Sequence, residues 1–213
     1  MELVATNGGR QRTPADVREV EVAFLFTDLA GSTALYDRLG DSTAFDLVRW
    51  YFHALTELVK ENSGAVVKTI GDEVMASFPD PLQAMKVARE TQDAVACFNQ
   101  RAQSGSVHLR FGAHAGTALE ATLNGQRDYF GQVVNVAAVA QGAANADELV
   151  MTDEMFRLPG AGEVLANRRI TEDLIDVKGI DGSLAVRRIA RNEAGVPYEA
   201  ALSPSRAYST APS

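Results

Sequence analysis

The acids that end apolar runs are the residues of this chain best placed to do chemistry. In Val22-Ala-Phe-Leu-Phe-Thr-Asp-Leu-Ala-Gly-Ser-Thr33 an apolar run ends at Asp28 and breaks into Gly-Ser-Thr before a helical pattern begins. A strand that delivers a carboxylate to a helix N-terminus sets a cation ligand beside unpaired backbone N–H groups, and a polyphosphate carrying Mg²⁺ suits both halves. An aspartate at such a turn also serves as a plain N-cap, so this stretch alone leaves both readings open. A second stretch, Ala65-Val-Val-Lys-Thr-Ile-Gly-Asp-Glu-Val-Met-Ala-Ser-Phe78, reads as two β runs joined by a tight turn at Gly71-Asp72. Two strand-end aspartates, Asp28 and Asp72, are then available.

The elements that must position them follow from periodicity. Val20 to Phe26 is dense in β-branched and aromatic residues, as expected of a central strand buried on both faces near its end. Ser32 to Leu39 reads as a short helix ended by Gly40, and Asp41-Ser42 open a longer one on which Phe45, Val48, Phe52, Leu55 and Val59 recur at helical spacing. Trp50, Tyr51 and His53 fall at the edge of that stripe or off it, where packing, a subunit contact or exposure is expected rather than chemistry. After the hairpin, a helix starts at Pro81 and runs to about Ala102, with Ala84, Val87, Ala88, Val95 and Phe98 on its apolar face. Val107 to His114 alternates as a strand with Leu109, Phe111 and Ala113 on one side, continues extended to Leu123, and turns at Asn124-Gly125-Gln126-Arg127. Asp128-Tyr-Phe-Gly-Gln-Val-Val-Asn-Val-Ala-Ala138 then gives an acid, a glycine break and a small-residue helix that another backbone can approach closely. Glu148 to Met151 and Leu184 to Ile189 are the last expected strands, with a turn of helix at Asp153 to Phe156. This order of strands and helices, with acids at strand ends, predicts an α/β sandwich: helices packed on a mainly antiparallel sheet.

The 213 residues suffice for one domain with a full core. A short arm over residues 1–17 and a tail over 191–213, both poor in large apolar groups, are expected to be disordered, leaving 18–190 as the domain. A formal net charge of -8 argues against nonspecific binding to nucleic acid or to anionic membranes. The single cysteine, Cys97, cannot form an intrachain disulfide, and the sequence shows no signal-peptide core or long apolar run. A cytoplasmic protein is the expectation.

Five stretches, taken together, resemble the class III nucleotidyl (adenylate/guanylate) cyclase catalytic domain: Phe26-Thr-Asp-Leu-Ala-Gly-Ser-Thr33, Lys68-Thr-Ile-Gly-Asp72, Arg110-Phe-Gly-Ala-His-Ala-Gly116, Asp128-Tyr-Phe-Gly-Gln-Val-Val-Asn135 and Val177-Lys-Gly179. The resemblance implies a ferredoxin-like core working as a head-to-tail homodimer with sites in the groove between subunits. It implies that Asp28 and Asp72 of one subunit hold two metal ions, Mg²⁺ or Mn²⁺, while Lys68, Asp128, Asn135 and Lys178 of the other face the base and the ribose-phosphate. A chain carrying both sets would build two identical sites by pairing with itself.

The residue types suit that chemistry. Joining a 3′-hydroxyl to an α-phosphorus with loss of pyrophosphate needs a more acidic hydroxyl and a neutralised leaving group, and two divalent ions on two carboxylates supply both. The N–H groups around Ala30, Gly31, Ser32 and Thr33 would cradle the β- and γ-phosphates. Adenine offers an acceptor at N1 and a donor at N6, matching an ammonium and a carboxylate, whereas guanine offers the reverse on that edge. Lys68 and Asp128 therefore favour ATP over GTP, but cytosine presents the adenine-like order, so CTP fits the same pattern. Lys68 as a solvated strand lysine and Asp128 as a turn acid are the plainer alternatives.

One position departs from the resemblance. The helix after Asp128 is expected to carry Asn and, one turn later, Arg, yet Asn135 is followed four residues on by Val139. Loss of one donor to developing charge can cost roughly 10² to 10³ in rate. The expected activity is an adenylate cyclase making cyclic AMP; the other class is a cyclase-like nucleotide-binding or regulatory module that turns over slowly or not at all. A partner subunit supplying the arginine stands between the two.

Overall fold

The computed structural model describes residues 17–101, 106–178 and 182–191. The expected arm before Val17 and the tail beyond Arg191 lie outside the described residues.

The first seven elements run β1 (Val17–Leu29), α1 (Ser32–Leu39), α2 (Asp41–Glu61), β2 (Ala65–Ile70), β3 (Glu73–Phe78), α3 (Pro81–Arg101) and β4 (Leu109–Leu123). β1 pairs antiparallel with β3 on one side and β4 on the other, and β2 closes on β3, giving the order β2-β3-β1-β4. This is the β-α-β-β-α-β arrangement of a ferredoxin-like core. β1 begins at Val17 and ends at Leu29, longer at both ends than the apolar run Val20 to Phe26, because β4 supplies ladder partners along its whole length.

The chain then adds β5 (Gln126–Phe130), a hairpin partner of the distal half of β4, and α4 (Gln132–Gly142). β6 (Glu148–Thr152) joins the proximal half of β4 in a parallel pairing, followed by the short α5 (Asp153–Phe156) and α6 (Ala161–Val164). β7 (Arg168–Asp176) and β8 (Ser183–Arg191) finish an eight-stranded sheet whose other described pairings are antiparallel. β5, α6 and β7 are not legible in the sequence, and Gln126 and Arg127, expected in the turn, belong to β5. β7 reads Arg-Arg-Ile-Thr-Glu-Asp-Leu-Ile-Asp, too charged for an alternating pattern to show, and it is held to β8 by cross-strand ion pairs, Glu172 with Arg187 and Asp173 with Arg188.

Helices cover both faces of the sheet. Ala23 and Leu25 of β1 point into the larger core with Leu35 of α1, Tyr51 and Leu55 of α2, and Ala84, Val87 and Ala88 of α3. Val22, Phe24 and Phe26 point the other way, against Val133 and Ala137 of α4. A second face of α4, Val136 and Ala140, packs on Val150, Val186 and the end of β7 through Ile175 and Val177. α4 lies so close to β4 that a Cβ on Gly112 would fall 2.1 Å from the Gln141 backbone nitrogen and 2.4 Å from the Ala137 carbonyl oxygen. The small-residue helix thus finds its close neighbour in the sheet.

On α2 the buried stripe is Ala44, Leu47, Val48, Tyr51, Leu55, Leu58 and Val59. Phe45, expected on the apolar face, is 58% exposed, since the stripe is set by Ala44 and Leu47. Tyr51 is in the core, while Trp50 stacks on Phe98 of α3 with ring centroids 4.1 Å apart.

Candidate active site

The sheet brings its acids to one end. Asp28 lies at the end of β1 directly across the ladder from Arg110 of β4, whose guanidinium donates to Asp28 Oδ2. Gln141, from the last turn of α4, donates to the same oxygen at 3.4 Å. The β2–β3 turn carries Asp72, and its Oδ2 is buried without a hydrogen-bond partner. Glu73 stands beside it. Its carboxyl is pushed above the usual range, first by burial and then by the negative charges of Asp28 and Asp72, with Arg110 opposing.

Tyr51 supports this end from beneath. Its hydroxyl hydrogen-bonds to that of Thr27, the residue before Asp28, and burial raises its pKa far above the usual phenol value. Among the described residues no group of three or more His, Cys, Asp and Glu side chains is arranged to hold a metal. The protein ligands on offer are two aspartates, one with an orphaned buried oxygen, and that set fits a hard divalent cation completing its shell with water and phosphate oxygens.

The turn after Asp28 carries the four residues whose N–H groups were expected to face phosphate, Ala30 to Thr33. Gly31 adopts φ 73° to start α1 without a side-chain cap, so the first N–H groups of the helix have neither an intrahelical acceptor nor a capping oxygen. The Ala30 N–H is not among the candidates for phosphate: it donates to the His108 carbonyl at 2.8 Å, tying the turn to the start of β4. Gly31, Ser32 and Thr33 remain.

The second set of residues gathers elsewhere. Lys68, Asn135 and Lys178 line an open groove of about 690 Å³ with Tyr129, Phe130, Gly131, Gln132 and Val134. Asp128 reaches it through Lys68, whose ammonium sits 2.8 and 2.9 Å from the two carboxylate oxygens. Partial burial works to raise the Asp128 pKa, but Lys68 and the Tyr129 N–H outweigh it and hold the carboxyl below the usual range. Lys178 is placed by the end of β7, because Ile175 of that strand and Val177 just beyond it are buried against α4. Neither Asp28 nor Asp72 lines this groove. Within one chain, then, Asp28 and Asp72 stand outside the groove that Lys68, Asn135 and Lys178 line.

A family model described as the adenylate and guanylate cyclase catalytic domain matches residues 16–184. The chain belongs to this family. This class III domain is 30% identical over 194 residues to adenylate cyclase 2 of Rhizobium meliloti, covering 84% of the chain and 51% of that protein. It is 31% identical over 156 residues to an uncharacterized protein of Mycobacterium tuberculosis, covering 73% of the chain and 38% of the relative. The chain thus spans about half or less of the length of these relatives. Among solved structures it superposes on the adenylyl cyclase CyaB from P. aeruginosa with a TM-score of 0.72 at 20% identity, over 85% of this chain and all of that one. The catalytic core of a rhodopsin-guanylyl cyclase with converted specificity, in complex with ATPalphaS, gives a TM-score of 0.70 at 19% identity, over 83% of this chain and 99% of that one.

Within the cyclase domain Val139 is half-buried and packs beside the apolar cluster of Val136, Ala140 and Val150. Neither nearby arginine takes the place of the missing cation in this state. Arg110 is turned to Asp28, and Arg127 lies 3.9 Å from Glu120 on the β4–β5 hairpin. Glu73 and Gln141 are not among the residues singled out in the sequence, and Tyr51 was read there as packing, a subunit contact or exposure rather than chemistry; it is buried in the core. Glu73 adjoins Asp72 and was open to notice; Tyr51 and Gln141 reach the acids only through the fold.

Proposed function

We propose that this domain converts ATP to 3′,5′-cyclic AMP and pyrophosphate at sites shared between two copies of the chain. The separation of Asp28 and Asp72 from the groove of Lys68, Asn135 and Lys178 carries the reading, because each surface holds half of what the reaction needs. Pairing is further supported by the β4–β5 hairpin, where Leu119 and Phe130 stand opposite one another and both are 43% exposed. In such a homodimer the two aspartates would hold Mg²⁺ or Mn²⁺, and the bound ions would acidify the 3′-hydroxyl and neutralise the leaving pyrophosphate. Gly31, Ser32 and Thr33 would donate to the terminal phosphates. Lys68 and Asp128 would read the adenine edge, and Asn135 and Lys178 would orient the ribose and the α-phosphate. Relatives named adenylate cyclase support ATP as the substrate.

A second reading is favoured by Val139. With an apolar side chain where a cation is expected, the domain would bind nucleotide and turn it over slowly, acting chiefly as a regulatory module.

Purified protein with Mn²⁺ and each of ATP, GTP, CTP and UTP, with products separated by chromatography, tests both. Cyclic AMP from ATP is expected; cyclic CMP from CTP in its place would reassign the substrate, and tight nucleotide binding without product would favour the module. Mixing inactive Asp28→Ala with inactive Asn135→Ala is expected to restore part of the activity, because one site of the heterodimer is intact. Heterodimers that form but stay silent would count against shared sites.

A further inference from the structure

Asp28 already has a cation, and it belongs to the chain. Arg110 stands across the β1–β4 ladder from it and donates to Oδ2, with Gln141 adding a second, longer contact to the same oxygen. The pair is sheltered, the Asp28 side chain being 14% exposed and that of Arg110 34%. The grip is incomplete, however. Arg110 Nε is buried without an acceptor, so the guanidinium does not make the two-pronged contact that renders arginine–carboxylate pairs strong. Asp72 Oδ2 is likewise buried without a hydrogen-bond partner.

Two divalent ions held by Asp28 and Asp72 would need carboxylate oxygens free of another strong partner. An oxygen accepting from a guanidinium is not free for an ion at the ~2.0–2.1 Å that Mg²⁺ requires, and the guanidinium charge repels that ion as well. Without metal, Arg110 spares Asp28 from standing as a sheltered unpaired charge. A bound cation would relieve Arg110 of that role, and the exposed part of the Arg110 side chain would give the arginine a path to solvent.

We propose that Arg110 is a resident counter-ion of Asp28 that divalent metal must displace, so that this residue, itself no metal ligand, sets how tightly the chain takes its ions. The inference rests on Asp28 and Asp72 being the metal-holding pair. The chain's apparent affinity for metal is then the affinity of the bare aspartates reduced by the population in which Arg110 is bound.

Mn²⁺ binding to the whole chain, without nucleotide, is read from the electron paramagnetic resonance signal of the free ion. Arg110→Gln is expected to bind Mn²⁺ about tenfold more tightly than the parent, Arg110→Lys to stay near the parent, and Asp28→Asn to lose the site. If Arg110→Gln binds no more tightly while Asp28→Asn still loses the site, the displacement idea is overturned and the metal pair stands. If Asp28→Asn binds as the parent does, the metal-pair reading fails, and the displacement idea with it. Should Arg110→Gln not fold, the parent protein answers by nitrogen-15 NMR of its arginine side chains, with the Arg110 signal assigned by its loss in Arg110→Lys. Saturating Mg²⁺ is expected to shift that signal to a freely exchanging position, and an unmoved signal overturns the proposal.

Discussion

Lys68 donates to both carboxylate oxygens of Asp128, at 2.8 and 2.9 Å, joining β2 to β5 at the edge of the groove. The two groups proposed to read a base thus satisfy each other. A base edge must part them and return one hydrogen bond to each, which only an adjacent acceptor and donor in the right order can do.

Lys68→Gln is expected to lower kcat/KM for ATP by about 10- to 100-fold and to narrow the preference for ATP over GTP, in line with ~1–3 kcal/mol for one good base contact. Because the Lys68 side chain is 40% exposed, the pair adds little to stability, and the melting temperature is expected to move by no more than a degree or two. Steady-state kinetics with both nucleotides beside a thermal melt separate the two effects. A large loss of stability with unchanged nucleotide preference would assign the pair a structural role.

Asp72→Asn is expected to abolish product formation and the rise in melting temperature that Mn²⁺ gives the parent. Its effect on the metal-free melt should be small, since the buried Oδ2 makes no hydrogen bond that the substitution could break. Differential scanning calorimetry with and without Mn²⁺ reads both quantities. A full metal shift in the variant would remove Asp72 from the site.

Glu73→Gln bears on the acids through charge. The folded-state pKa of Glu73 is raised by burial and by Asp28 and Asp72, so its ionisation opposes folding at pH above that raised value. The variant is therefore expected to melt about 1–3 °C higher than the parent at pH 7 in chelator. That gain should shrink as pH falls through the raised pKa and vanish below the ordinary glutamate range, where both states are protonated. Melts from pH 8 to pH 4 check the sign, and a gain that persists at the acid end would be inconsistent with it.

Val139→Arg tests whether the missing cation limits turnover. The side chain lies against Val136, Ala140 and Val150, so an arginine must run its stem along that apolar cluster and put its head into the groove. Turnover is expected to rise about 10- to 100-fold with KM nearly unchanged, at a cost of a few degrees in melting temperature. A folded dimer of unchanged turnover would show that another cation serves.

The order of most strands and helices, the continuous burial of Ala23 to Phe26, the hairpin at Gly71-Asp72 and the five family motifs were legible in the sequence, because apolar period and turn chemistry are local properties. They sufficed for the family. The edge strand β7 was not legible, since its stability comes from ion pairs to β8 that exist only once the two strands meet, and with it went the reason Lys178 stands beside Asn135. Phe45 carried a helical stripe in the sequence but faces out, because which residues of a helix are buried is decided by what packs on it. The contacts around Asp28 lay furthest from local reading. Arg110 is 82 positions away and Gln141 is 113, and only the β1–β4 register and the close seat of α4 over Gly112 bring both to one carboxylate oxygen.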